Sequence, residues 1–362
     1  MGELYGETPN NLTVQEPVSP PDQLAGLEDR ASGSMWGILA GWALGFLILA
    51  GLVTFILHFS DVEVFLATLK KAYPPWLILA LVCQAATYCC AAGVWWCVLR
   101  RTGATASFPS LLRLALVELF ANQAFPTGGL SGSIMVIRGL VSRGVDAAVA
   151  MTALLVAAMS YYAAYLLAGI VAFLLLWHVG DLHGVWLSLS VAFVAVILLL
   201  GIAIFLITRS RGGFIPDALL GWPPAKRIAT VLKQVRVDIL RDGKVVFQAV
   251  GFQGAVFLFD AATLWCAGKA VGMELDMASI FMSFMLASVV ATLSPIPLGL
   301  GTFEGTCTAM LHLLGGGLEA SLAAALILRG FTLWLPMLPG IWLIRQEMKG
   351  RRSVAVSSRD TR

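Results

Sequence analysis

Apolar runs of about 20 residues, the length that spans roughly 30 Å of hydrocarbon as an α-helix, recur between short polar connections from residue 35 to residue 345. The pattern predicts full helices over 35–57, 76–98, 147–177, 185–208, 245–269 and 319–345. The third is longer than a bilayer needs and so must tilt or extend beyond it. Two further stretches, 108–140 and 278–316, are hydrophobic but broken in the middle. The first break reads Asn122-Gln123-Ala124-Phe125-Pro126-Thr127-Gly128-Gly129-Leu130-Ser131-Gly132. The second reads Ser294-Pro295-Ile296-Pro297-Leu298-Gly299-Leu300-Gly301-Thr302-Phe303-Glu304-Gly305. Pro126 and Pro297 stop the preceding arm. The glycines let the backbone turn sharply and approach a ligand closely. Backbone left unpaired at membrane depth is tolerated only inside protein or along a wet cavity. Short broken segments at matching places in two halves therefore mark a binding site near the midplane.

Composition agrees with an all-α integral membrane protein, a polytopic helix bundle. Mean hydropathy is +0.85 with only 12% charged residues, far from any soluble domain. All six cysteines lie in apolar runs, and Cys83, Cys90 and Cys97 share a helix face; small apolar filler is the better account of them than a metal site. Residues 1–34, polar and proline-bearing, read as a disordered tail without the basic start of a cleavable leader. Residues 346–362 read as a basic tail.

Charge orients the bundle. Arg100, Arg101, Arg138, Arg143, the eight basic residues of the 209–244 connection and Arg345, Lys349, Arg351 and Arg352 all fall on one side if both termini are cytoplasmic. Lys70 and Lys71 are the mild exception. The topology is then six spans with two re-entrant hairpins, the first entering from the cytoplasm and the second from outside. Half-repeats of about 35–177 and 185–345 each read span, span, hairpin, span, in opposite orientation. That inverted repeat suits a carrier in which one half rocks against the other. Ordinary spans in place of the hairpins are the plainer alternative. Trp36, Trp95, Trp96 and Trp342 at one set of span ends, and Trp76, Trp177 and Trp186 at the other, fit interfacial belts. Ile228, Val231, Leu232, Val235 and Ile239 recur at helical spacing among basic residues, as in a helix lying on the inner leaflet.

Charges inside the spans need a reason, since each costs about 2.5–3.5 kcal/mol on insertion scales. Arg329 lies in the last span, Glu304 just past the second break, Glu118 and Arg113 before the first, Arg138 after it, and Asp260 in the fifth span. In one reading Arg138 and Arg329 bind an anionic head group through the guanidinium fork, with Glu304 and Glu118 orienting them or exchanging protons. In the other, Glu304–Arg329 is a buried pair pinning the hairpin to the last helix. Arg113 is expected to snorkel. Asn122 is expected to satisfy carbonyls freed at the break. Asp260 fits either reading. No metal-binding, nucleotide-binding or nucleophile motif occurs, so no enzyme activity, no cofactor and no nucleic-acid partner are expected.

The run Asn122-x-x-x-Pro126-x-Gly128-Gly129-x-x-Gly132 with Arg138, and Pro295-Ile296-Pro297-x-Gly299-x-Gly301-x-x-Glu304 with Arg329, resemble the two signatures of the lysylphosphatidylglycerol synthase membrane-domain family. The resemblance covers roughly residues 35–345. It implies a flippase-like membrane domain that moves a lipid between leaflets. In bifunctional members a fused cytoplasmic domain makes that lipid; no such domain is expected after Arg345, so synthase activity is not carried over. Thr127 stands where relatives often carry a basic or small residue. The expected function is translocation of an anionic phospholipid or lipid-linked precursor in the cytoplasmic membrane, with Asn122, Pro126, Gly128, Gly129, Arg138, Pro297, Gly299, Gly301, Glu304 and Arg329 as the site. The alternative is a non-transporting partner of a glycosyltransferase or lipid-modifying enzyme.

Overall fold

The computed structural model describes residues 72–124, 130–179, 235–294 and 296–336, with isolated positions 70, 195 and 339. Regular structure among them is entirely helical: α1 Pro74–Thr102, α2 Phe108–Ala124, α3 Leu130–Val141, α4 Ala147–Val179, α5 Gly243–Ala270, α6 Met277–Leu293, α7 Thr302–Leu313 and α8 Leu318–Arg329. A single turn, Val237–Leu240, precedes α5, a 3₁₀ turn at Pro297–Gly299 joins α6 to α7, and a π turn at Gly330–Trp334 continues α8. The expected spans at 35–57 and 185–208, both tails, and most of the 209–244 connection lie outside the described residues.

Local chemistry sets the ends of these helices. Proline opens α1, where its missing N–H costs nothing. Asp242, Asp276 and Asp146 cap α5, α6 and α4 by accepting from the N–H groups of Lys244, Ala278 and Ala148. At its far end α1 closes on Gly103 (φ +73°), whose left-handed backbone lets the N–H groups of Gly103 and Ala104 reach the carbonyls of Arg100 and Leu99. The end of α5 repeats this at Gly272 (φ +81°), with Gly272 and Met273 bonding Lys269 and Gly268.

That match is one of a series. Helices α1–α4 and α5–α8 follow one plan: a helix of 29 or 28 residues, a pair of 17 and 12 residues, and a closing helix. A single offset relates Gly103 to Gly272, Phe108 to Met277, Ala124 to Leu293 and Pro126 to Pro295. It also relates Trp96, which carries the Arg100 guanidinium 5.1 Å from its ring centre, to Trp265, which carries the Lys269 ammonium at 5.9 Å.

The two long helices α1 and α5 run antiparallel along most of their length. Tyr73 donates its N–H to the Ala270 carbonyl at 2.8 Å, and Trp76 meets Trp265 edge to face at 5.3 Å. Phe252 lies in the space that Gly93 leaves by having no side chain. At the other end Arg101 Nε bonds Asp242 Oδ2 at 2.5 Å. On either side of this seam the short helices fold back as hairpins. Arg143 Nε donates to Ser110 Oγ at 2.6 Å across α2 and α3, and Phe284 meets Phe303 across α6 and α7. At 1.5 Å per residue, 17 and 12 residues rise about 25 Å and about 18 Å, less than the hydrocarbon thickness. By contrast α1, α4 and α5 are long and apolar enough to cross a membrane.

Two expectations change. Trp95 is 2% exposed and sits in the core around α1, not in an interfacial belt. Of the predicted leaflet helix, residues 226–234 lie outside the described residues, and its far end packs on protein: Val235 and Ile239 are buried against α1 and α4.

The Arg101–Asp242 contact closes the exposed end of the seam, and the Arg101 guanidinium holds the Asp242 carboxyl below its usual range. The ionised form therefore stabilises the fold above the ordinary carboxylate value, and that contribution disappears as pH falls through the lowered one. Asp242→Asn keeps the cap but removes the charge. Its Tm deficit relative to wild type should shrink as pH is taken below about 4. A deficit constant down to full carboxylate protonation would contradict the assignment.

Candidate functional site

The second hairpin turns through a backbone that few sequences allow. Leu298 (φ +60°), Gly299 (φ +61°) and Gly301 (φ +82°) are all left-handed. A side chain on Gly299 would run into Ala291 of α6. Leucine in this region stores strain of about 1–3 kcal/mol, so the surroundings must hold it in place. Arg329 of α8 does so. Its Nη2 donates to the carbonyls of Leu298 and Gly299, both at 3.2 Å. Its Nε stands 2.8 Å from Glu304 Oε1, an ion-pair contact off the hydrogen-bond direction. The guanidinium also lies 4.3 Å from the centre of the Phe303 ring.

Glu304 is 1% exposed and uses both oxygens within the protein. Oε2 accepts from the Gly301 N–H at 2.6 Å, capping α7 at its start, while Oε1 faces Arg329. Glu304, Arg329, Gly299 and Gly301 thus meet as one fastening that ties the hairpin tip to α8. Pro297 belongs to its 3₁₀ turn.

The first hairpin closes differently. Asn122 Oδ1 accepts from the Gly132 N–H at 3.0 Å, and the Ala121 carbonyl is taken by the Ser131 hydroxyl at 2.9 Å. Asn122 therefore serves an amide N–H at the start of α3; the carbonyls at the break itself lie outside the described residues. A side chain on Gly132 would run into the Asn122 amide and force it to shift away from the bond it makes there. Pro126, Gly128 and Gly129 lie outside the described residues. Arg138 is half-buried on α3, two turns beyond Ser131, and Glu118 is half-buried on α2.

Each tip is held by the closing helix of the other unit. Gln123, 5% exposed at the end of α2, donates Nε2 to the Thr332 carbonyl in the π turn after α8 at 3.0 Å. Next to it, Tyr88 of α1 donates to the Phe331 carbonyl at 3.1 Å. A π turn frees carbonyls that an α-helix would use itself, and two are spent on the opposite unit. In return Thr292, near the end of α6, shares a hydrogen bond with the Tyr165 hydroxyl of α4 at 3.1 Å. Tyr165 stacks on Phe257 in the middle of α5. The ends of α2 and α6 thus both lie beside the mid-height of the α1–α5 seam.

A group there was left unresolved by sequence. Asp260 of α5 is half-buried, and its Oδ1 accepts from Gln84 Nε2 and Thr87 Oγ1 of α1, each at 3.4 Å. Gln84, Thr87, Tyr88 and Gln123 had no motif to mark them. The available signal was the repeated Trp-Cys-x-x-basic-x-x-Gly at 96–103 and 265–272, which marks α1 and α5 as equivalent; the register that sets Thr87 opposite Asp260 comes from the fold.

Long apolar helices, paired short hairpins and buried ionisable groups define a multi-pass α-helical membrane protein. The chain belongs to the lysylphosphatidylglycerol synthase TM region family, whose model matches residues 42–340, and its function is accordingly a membrane, lipid-related one. No curated protein matches it.

Removing one partner of a buried pair leaves an uncompensated charge, at a cost of about 3–5 kcal/mol. Arg329→Ala should therefore lower Tm in detergent strongly, whereas the double variant Glu304→Gln, Arg329→Gln should lose clearly less. Equal stability of Arg329→Ala and wild type would rule out the fastening role.

Proposed function

We propose that this protein is a lipid translocase of the cytoplasmic membrane, moving the head group of an anionic phospholipid or lipid-linked precursor between leaflets. The observation that carries the reading is the reciprocal hold on the hairpin tips: Gln123 on Thr332 of the second unit, Thr292 on Tyr165 of the first. A rocking motion of one unit against the other must change both contacts, and so moves both tips together.

In this reading six spans and two re-entrant hairpins form an inverted repeat with both termini cytoplasmic. The antiparallel seam of α1 and α5 supports it, since it turns the two units upside down relative to one another. Arg138 meets the lipid phosphate. Asn122, Pro126, Gly128 and Gly129 shape one gate; Pro297, Gly299 and Gly301 shape the other, with Glu304 and Arg329 keeping it rigid against α8. The acyl chains stay in the bilayer, along outer faces where Ile78, Val82, Leu167 and Leu174 are exposed. Membrane lipids are the partners, and the work is transport without covalent chemistry.

Arg138 gives a test separate from Arg329, because it stands on α3 and takes no part in the contacts that fasten the second tip. In liposomes carrying a fluorescent anionic phospholipid, wild type should equilibrate the label between leaflets, and Arg138→Gln, reconstituted as folded protein, should do so at least tenfold more slowly. Absence of equilibration by wild type with every anionic lipid tried contradicts the translocase. Unchanged rates in the variant contradict the role of Arg138.

A further inference from the structure

Asp260 is a carboxylate in the α1–α5 seam, and the described residues offer it no matching cation. Among the described residues no Lys, Arg or His comes within ion-pair distance of it. The titratable groups that face it are phenols, Tyr88 from α1 and Tyr161 from α4. Of the other elements packed on α5, α6 carries no titratable side chain over Met277–Leu293. Asp238 stands on the turn before α5, toward the far end of that helix. On α8, Arg329 is committed to the hairpin tip, and Glu319 lies in the first turn, remote from the π-turn end that meets Tyr88. An ionised carboxylate in such surroundings is costly, and two 3.4 Å hydrogen bonds from neutral donors offset little of that.

The partners of Asp260 can serve a neutral carboxyl as well as an ionised one. Gln84 is 2% exposed, and its Oε1 has no hydrogen-bond partner. A buried acceptor left bare is itself unfavourable. Rotation of the Gln84 amide brings that oxygen toward Asp260, where a carboxyl O–H would satisfy it. The Thr87 hydroxyl lies 3.4 Å from Asp260 Oδ1 and 3.3 Å from the Cys83 carbonyl, so its hydrogen has a second acceptor once the carboxyl no longer needs it. Each neighbour has one arrangement for the charged state and another for the protonated state.

We propose that Asp260 is a proton-binding site whose loading and unloading are coupled to translocation. Water supplies the proton to one carboxylate oxygen and takes it back; no other bond forms or breaks. The site adjoins a moving part. Thr87 is followed in α1 by Tyr88, which holds the Phe331 carbonyl, and the next carbonyl, Thr332, holds Gln123 at the first hairpin tip. A change of charge at Asp260 thus acts one residue away from the contact that ties the first unit to the second. The coupling half of the inference rests on the translocase reading; the proton site does not.

Two measurements separate them. Infrared difference spectra of the purified protein across a pH titration should contain a protonated-carboxyl C=O band that is lost in Asp260→Asn and shifted but retained in Asp260→Glu. Failure of Asp260→Asn to remove any such band overturns the proton site whatever transport does, and a band governed by sodium concentration instead of pH replaces the proton with a sodium ion. In liposomes with an imposed pH gradient, wild type should distribute the fluorescent anionic phospholipid asymmetrically, by up to about tenfold per pH unit for one proton per lipid. Asp260→Asn should only equilibrate it. Equilibration by wild type that ignores the gradient overturns the coupling but leaves the translocase standing. No movement of lipid by wild type, with the infrared band present, overturns the translocase and the coupling together and leaves a proton site.

Discussion

Every backbone N–H and carbonyl inside a bilayer must find its partner within the protein, because hydrocarbon offers none. The two broken helices of this chain expose such groups at their tips, and the rest of the structure is organised around supplying them. At the second tip Arg329 covers the carbonyls of Leu298 and Gly299, and Glu304 covers the Gly301 N–H. At the base of the first tip Asn122 takes the Gly132 N–H and Ser131 donates to the Ala121 carbonyl. Among the described residues, the second hairpin is thus closed through a buried charged pair and the first through a side-chain amide and a hydroxyl.

That difference bears on how the two units divide their roles. Separating the second tip from α8 would strand a buried carboxylate, so the two are joined strongly. The end of α2, leading into the first tip, is tied to the π turn by a hydrogen bond of ordinary strength from Gln123. Such bonds can be exchanged at small cost when a ligand or a proton favours another arrangement. The polar centre around Asp260, Thr87 and Tyr88 lies beside that contact, since Tyr88 holds the Phe331 carbonyl and Gln123 the next one.

Much of this was legible in the sequence. Apolar run length located α1, α4 and α5 within a few residues, and the proline and glycine clusters located both hairpins. The pairing of Glu304 with Arg329 was readable as one of two alternatives, because a buried charge of each sign in neighbouring segments demands it. Other features were hidden for physical reasons. Trp95 sits near a span end, where amphipathic rings favour the interface, yet tertiary packing places it in the core. Asp260 carried no motif, since its partners Gln84 and Thr87 lie on another helix and only the antiparallel register brings them together. The π turn after Arg329 has no reliable composition, and with it went the docking sites of Gln123 and Tyr88.

The central claim is that the two units face opposite sides of the membrane and that each hairpin returns to the side it entered. Single cysteines at Ala104 and Ser142, the two ends of the first hairpin, and at Glu274 and Gly317, the two ends of the second, test this directly in a cysteine-free background. With an impermeant thiol reagent on sealed vesicles, the first two positions should label from the cytoplasmic side only and the last two from the opposite side only. Labelling of Ala104 and Ser142 from different sides, or of all four from one side, would contradict the account.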